Sequence, residues 1–223
     1  MADRRIGDTG VTAEAAAHLR AAIREGRFAP GARIVERPVA RELGVSPIAV
    51  RDALSRLTQE GWVERLPRRG ARVRAPGADE LEDITAARVL VEGEALARAS
   101  AALDAATERE LRGLLAAMER AAATEDRSAL LAHDEAFHAA LWRASASPTL
   151  EELLGSLTAR VIPLIRRSID GMPAAELGAM RGWHAELLDG VLAGPDGARA
   201  AVARHAELTR SRVAAATTRQ EGK

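Results

Sequence analysis

Four residues have the types and the spacing to hold a cation inside a helical protein. Leu130, Asp134, Phe137, His138 and Leu141 recur at intervals of three and four, so they share one face of a helix. Asp134 and His138 are therefore neighbours, one turn apart, on an otherwise apolar face. His184 follows Met180 by four and precedes Leu187 by three, and His205 stands three from both Val202 and Leu208. Each occupies a position where a core residue belongs. A buried carboxylate without a partner is costly and would be neutralised instead. A divalent ion shared by Asp134, His138, His184 and His205 satisfies all four at once. Three imidazoles and one carboxylate suit Zn, Ni, Mn or a similar ion. A single histidine on an apolar face is more often a hydrogen-bonded core residue, and a lone Asp-x-x-x-His is a weak signal. Four such residues on the inward faces of three helices are harder to dismiss. His18 and His133 lack that placement and read as surface residues. There is no Cys, so a thiolate site is excluded.

The elements that must carry these residues follow Pro76-Gly77, after which the pattern is helical throughout. Asp79 can cap a helix running to about Leu103, and others span Thr107 to Ala123 and about Arg127 to Ala144. Pro148 opens a fourth that continues to about Ile169, with a kink expected at Pro163. Pro173 starts a fifth ending near Gly194, and a sixth runs from about Asp196 to Thr217. This is an antiparallel all-helical bundle. Aromatics are only 2% of the chain, so its core is built from Ala, Leu, Val and Ile.

The front of the chain reads differently. Val11 to Gly26 is a helix, Pro38 to Leu43 a short second one ended by Gly44, and Val45-Ser46 the corner. Ser46 is a natural N-cap, Pro47 sits at the first helical position, and the third helix runs to about Glu60. Val50, Ala53, Leu54 and Leu57 face inward. Trp62 to Leu66 and Ala71 to Arg74 are short strands joined by Pro67-Arg-Arg-Gly70, a basic hairpin. That order is a winged helix-turn-helix, whose third helix enters the major groove of DNA by its N-terminal end. Ser46, Ile48, Ala49 and Arg51 are then offered to DNA. Arg37 would reach phosphate or a base edge, and Arg68 and Arg69 at the wing tip would approach the backbone or the minor groove. A surface pair between Arg51 and Asp52 or Glu60 is the alternative for that arginine.

The charge balance agrees with two domains, 1–76 and 77–223. Net charge is zero, but residues 1–76 hold 15 Arg against 9 acidic residues, and the remainder holds 17 basic against 23 acidic residues. A basic front suits a polyanion. The first ten residues carry Asp3, Arg4, Arg5 and Asp8 and no apolar run, so no signal peptide is expected. No segment is long and apolar enough to span a bilayer, so the expected location is the cytoplasm.

The residues of the front half, Ile23-Arg-Glu-Gly, Pro30-Gly-Ala-Arg-Ile, Ala40-Arg-Glu-Leu-Gly-Val-Ser, Val50-Arg-Asp-Ala-Leu-Ser-Arg-Leu, Glu60-Gly-Trp-Val and Pro67-Arg-Arg-Gly-Ala, resemble the GntR family of bacterial regulators. The resemblance implies DNA contacts at Arg37, Ser46, Arg51, Arg69 and Gly70. Pro47 and Ile48 depart from the family, which usually has a basic residue and then Thr there, so the operator is expected to differ from the common half-site. Arg88-Val-Leu-Val-Glu92, Ala132-His-Asp134-Glu-Ala-Phe-His138, Trp183-His184-Ala-Glu-Leu-Leu and His205 resemble the FCD domain, the ligand-binding domain named from FadR. That resemblance implies that Asp134, His138, His184 and His205 are metal ligands and that the domain senses small organic acids.

Four ligands leave a position or two on a six-coordinate ion for a carboxylate effector. Arg88 shares a helical face with Leu81, Ile84 and Val91 and can bind a carboxylate bidentately. Its alternative is a buried ion pair with Glu92 or Asp134. Arg160 is a second effector-binding candidate on a face that the pattern leaves ambiguous. The expected function is a homodimeric transcriptional regulator, a repressor by the commoner family behaviour, on a near-palindromic double-stranded operator. The rival is a metal-dependent hydrolase or lyase using the same Asp and His set, and a third reading makes the metal purely structural. Phosphate loops, dinucleotide-binding glycines and nucleophilic triads are absent from the sequence.

Overall fold

Hydrophobic periodicity closes the front of the chain around three helices and a small sheet. The computed structural model describes residues 5–67 and 69–221, with side chains described for 10–67 and 69–216. Its described residues up to Pro76, together with Ala159–Leu164, form one compact unit, and Gly77–Thr158 with the residues from Ile165 onward form another.

In the first unit α1 (Arg5–Arg24) and α3 (Pro47–Gln59) pack together, and α2 (Glu36–Leu43) lies against α3. Leu19, Ile23, Val50, Leu54 and Leu57 are fully buried between them. Burial of each such side chain contributes about 1.5–3 kcal/mol. The corner between α2 and α3 is built as its residues require. Gly44 adopts a left-handed φ of 66°, and the Ser46 hydroxyl accepts the Ala49 N–H at 3.1 Å. The wing has one strand more than the sequence pattern indicates. β1 (Arg33–Ile34) pairs with β3 (Gly70–Val73), which pairs in turn with β2 (Val63–Leu66), all antiparallel. Two residues are too few to show an alternating pattern. Gly70 holds this junction, because its φ is +85° and a Cβ there would stand 2.3 Å from the Ile34 carbonyl oxygen.

The second unit is helical. α4 (Ala78–Ala102) packs along α11 (Pro195–Glu221), α5 (Ala105–Ala123) along α6 (Arg127–Ala144), and α10 (Ala179–Leu192) against α11. Leu96, Leu111, Met118, Leu130, Phe137 and Leu141 fill the interior. Three details correct the sequence reading. Asp79 lies in the first turn of α4, where it favours the helix dipole, while Gly77 occupies the cap. The fourth helix is broken rather than kinked, into α7 (Pro148–Ala159) and α8 (Ile162–Asp170). Pro163 is the second residue of α8, where its missing N–H leaves no bond unmade. The fifth is likewise split, Gly178 separating α9 (Ala174–Leu177) from α10.

The hairpin of α10 and α11 is joined by backbone contact. A Cβ on Gly190 would meet the Ala201 Cβ at 2.3 Å and the Gly197 carbonyl oxygen at 2.9 Å; one on Gly197 would meet the Gly190 oxygen at 2.7 Å. Neither neighbour can yield without moving a helix. Gly190→Ala is therefore expected to destabilise the protein by about 1–3 kcal/mol, read as a lowered urea midpoint. An unchanged midpoint would show that the two helices tolerate separation.

Candidate metal centre and nucleic-acid interface

One face of α6 carries Asp134 and His138 into the bundle, and both are buried. α10 contributes His184, which is 1% exposed, and α11 contributes His205. The three imidazoles meet. Ring centroids lie 5.3 Å apart for His138 and His184, 5.0 Å for His138 and His205, and 4.8 Å for His184 and His205. One nitrogen from each falls within 4.8 Å of the others. The structure thus brings together all four residues singled out from spacing, and Phe137 closes one side with its ring edge-on to His184 at 5.3 Å.

Hydrogen bonds set the tautomers. His184 Nδ1 lies 2.7 Å from the Met180 carbonyl, which can only accept, so Nδ1 carries a proton and Nε2 is the nitrogen that offers a lone pair when the ring is neutral. That Nε2 is buried 2.8 Å from Asp134 Oδ1, yet it finds no partner with hydrogen-bond geometry. The Nδ1 of His205 is also buried without a partner. Donor atoms that converge without bonding one another are what a cation requires. Charge also couples these groups, Asp134 and His184 stabilising each other's ionised forms. Burial opposes ionisation of Asp134, but the neighbouring His184 outweighs it and holds the carboxyl well below the usual carboxylate range. Burial, reinforced by His138 and His184, pushes the His205 imidazole well down, so it stays neutral and able to ligate. For His184, burial is overcome by Asp134 and the Met180 carbonyl, and its pKa is raised.

Behind His138 stands a residue that spacing alone did not single out as part of the site. Glu92 of α4 is buried, and its Oε1 accepts from His138 Nδ1 at 3.0 Å and from the Trp142 indole N–H at 2.9 Å. Arg88 Nη2 donates to Oε2 at 3.3 Å. Burial alone would protonate Glu92, but Arg88 and these bonds keep it ionised. The signal in the sequence is Arg88-x-x-x-Glu92 on one helical face, which by itself indicates only an ion pair. That ion pair forms, with Glu92 and not with Asp134. Arg160 lies between α7 and α8, in the segment grouped with the first unit, and its Nε is buried without a hydrogen bond.

On the first unit, Arg37, Ser46, Arg51 and Arg69 are all exposed. Among the described residues Arg37 and Arg69 have no side-chain ion pair. Arg51 does have one, but its partner is neither Asp52 nor Glu60. Its Nη2 donates to Glu36 Oε2 at 2.8 Å, which holds Glu36 below its ordinary value. Glu60 is taken by Arg20 and Arg56. Ala49 is 1% exposed and belongs to the core, so of the four residues expected to meet DNA at the head of α3 only Ser46, Ile48 and Arg51 face outward. The pattern could not separate Ala49 from Ile48 because alanine suits either environment. Gly70 has a conformational role in the wing, as described above. Arg68 lies outside the described residues.

Comparison with known proteins extends this picture. The model of the bacterial regulatory proteins of the gntR family matches residues 11–73, and that of the FCD domain matches residues 83–208. An HTH-type transcriptional regulator of Agrobacterium vitis, from the TAR-I ttuE-ttuC' intergenic region, is 33% identical over 63% of this chain and 84% of its own. A probable D-xylose utilization operon transcriptional repressor of Paenarthrobacter nicotinovorans is 27% identical over 91% of this chain and 88% of its own. Among solved structures, Escherichia coli McbR/YncC superposes with a TM-score of 0.81 at 25% identity, covering 91% of this chain and 96% of that one. A GntR regulator of Rhodococcus sp. RHA1 does so with 0.75 at 25%, covering 92% and 97%. These relatives are DNA-binding regulators, which sets aside the hydrolase or lyase reading of the Asp and His cluster. With its winged helix-turn-helix and its mainly α architecture, the chain belongs to the GntR family of bacterial transcriptional regulators and carries an FCD domain.

Proposed function

We propose that this regulator is a metal-dependent sensor of a small organic acid that represses transcription as a homodimer on a near-palindromic operator. The observation that carries the sensing role is the convergence of His138, His184 and His205, with Asp134 beside His184, and with Nε2 of His184 and Nδ1 of His205 buried without a hydrogen bond. These four would hold a divalent ion such as Zn, Ni or Mn. Such an ion would supply a Lewis-acidic position to a carboxylate oxygen. Glu92, fixed by Arg88 and Trp142, orients His138 by accepting its Nδ1 proton. Arg88 acts here through Glu92, so an effector contact by Arg88 requires that pair to open.

The DNA-binding role rests on the first unit. Arg37, Arg51 and Arg69, with Ser46 at the head of α3, offer donors to base edges and phosphates, Arg51 after release from Glu36. Arg68 is proposed with them from the sequence. A repressor's direction of action is supported by the Paenarthrobacter nicotinovorans relative, named as a probable repressor. No helix of the described residues is long and apolar enough to cross a membrane. Binding to chromosomal DNA would place the protein in the cytoplasm. Effector and operator affinities would be coupled reciprocally.

Three outcomes are expected. First, purified protein will carry close to one divalent ion per chain by elemental analysis, and His184→Ala will lose it. Glu92→Gln will retain all ligands but weaken metal affinity roughly 10–100-fold in competition with a chelating dye. A metal-free wild type with a fully active His184→Ala variant would refute the metal site. Second, metal affinity will fall on acidification. The raised pKa of His184 means that protons compete for it already above the ordinary imidazole range, so binding weakens progressively as the pH falls. A flat profile from pH 8 to pH 6 would count against His184 as a ligand. Third, gel shifts with the DNA upstream of the protein's own gene will weaken steeply with salt. Arg51→Ala will cost about 1–3 kcal/mol of that binding. Salt-insensitive binding, or an unaffected variant, would remove α3 from the interface.

A further inference from the structure

Arg212 is half-buried and, among the described residues, has no ion-pair partner. It lies on α11 seven residues after His205, hence on the same helical face about two turns further on. Its guanidinium carbon stands 4.3 Å from the centre of the Trp183 ring, and Trp183 immediately precedes His184. Its Nη2 meets the Met172 thioether sulfur at 3.6 Å, a weak acceptor. Among the described residues no carboxylate lies within ion-pair distance of it. Three other arginines of this unit are committed: Arg88 to Glu92, Arg166 to Asp170, and Arg127 to the carbonyls of Ile169 and Met172.

Burial lowers the proton affinity of Arg212, and the negative charges of Asp134 and Glu176 act against that. Its own charge acts on His184 in return. Its stacking on Trp183, the residue before His184, sets it on the α10 side of α11. A guanidinium stacked on an indole engages through its flat face, which leaves the in-plane N–H donors free for a planar anion. Desolvating such a fork is costly unless a partner completes it.

We propose that Arg212 is the distal anchor of the effector, and that the effector is a small dicarboxylate: one carboxylate lies at the Asp134 and His184 end of the cluster and the other is held in the Arg212 fork against Trp183. This rests on the organic-acid reading above and names the class of acid. Trp183 and Met172 position the guanidinium, and the fork confers selectivity for a second carboxylate over a single one.

The test uses full-length, zinc-loaded protein and isothermal titration with acetate and with succinate. Wild type is expected to bind succinate roughly tenfold to a hundredfold more tightly than acetate. Arg212→Met keeps an unbranched apolar stem against Trp183 and is expected to bind succinate no better than acetate. Arg212→Lys keeps the charge without the fork and should retain only part of the preference. Zinc affinity, measured by dye competition, should be the same in all three proteins. Equal binding of the two acids by wild type, or an undiminished succinate preference in Arg212→Met, overturns the role of Arg212 alone. Failure of zinc-loaded wild type to bind either acid overturns both this proposal and the organic-acid reading. Zinc loss in both variants would make Arg212 a structural support of the cluster and likewise overturn the proposal.

Discussion

Two ionised carboxylates carried into a hydrophobic interior constrain the rest of the bundle. Asp134 and Glu92 are each buried, and a bare carboxylate there would cost several kcal/mol. Neither is bare. Asp134 sits beside His184, while Glu92 receives Arg88, His138 and Trp142 together. The two carboxylates flank the histidines from opposite functional directions. One points its oxygen into the cluster, and the other backs an imidazole away from it. α4, α6, α10 and α11 all have to keep their register for both to remain charged. The polar centre thus dictates which apolar faces can meet around it.

The same logic accounts for the glycines that matter. Gly190 and Gly197 let α10 and α11 touch backbone to backbone, which brings His184 and His205 within 4.8 Å by ring centroid. Gly70 does the corresponding service in the wing, where no side chain could pass the Ile34 carbonyl. Each is a place where the chain approaches itself too closely for a methyl group.

How much of this was readable from residue order varies with the physics involved. Ser46 and Pro47 announce the start of α3 because capping is local chemistry, and the structure shows that bond. The convergence of Asp134, His138, His184 and His205 was readable because polar residues at core positions violate the helical period. Helix breaks were less so. Pro163 and Gly178 signal an interruption, but whether a chain bends or restarts depends on what packs against it. β1 is two residues long and exists only through its pairing with β3. Glu92 as a support for His138, and Glu36 as the partner of Arg51, join residues 46 and 15 positions apart. No local pattern encodes such meetings, since they follow from how the elements pack.

The close contact of α10 and α11 has a mechanical consequence. Helices interlocked through main-chain atoms and alanine methyls cannot slide by exchanging rotamers, because glycine and alanine have none to exchange. A push on His184 must then tilt the whole hairpin as a stiff lever, and the displacement grows with distance from the Gly190 and Gly197 fulcrum. The far end of α11 would travel further than the atoms that were pushed.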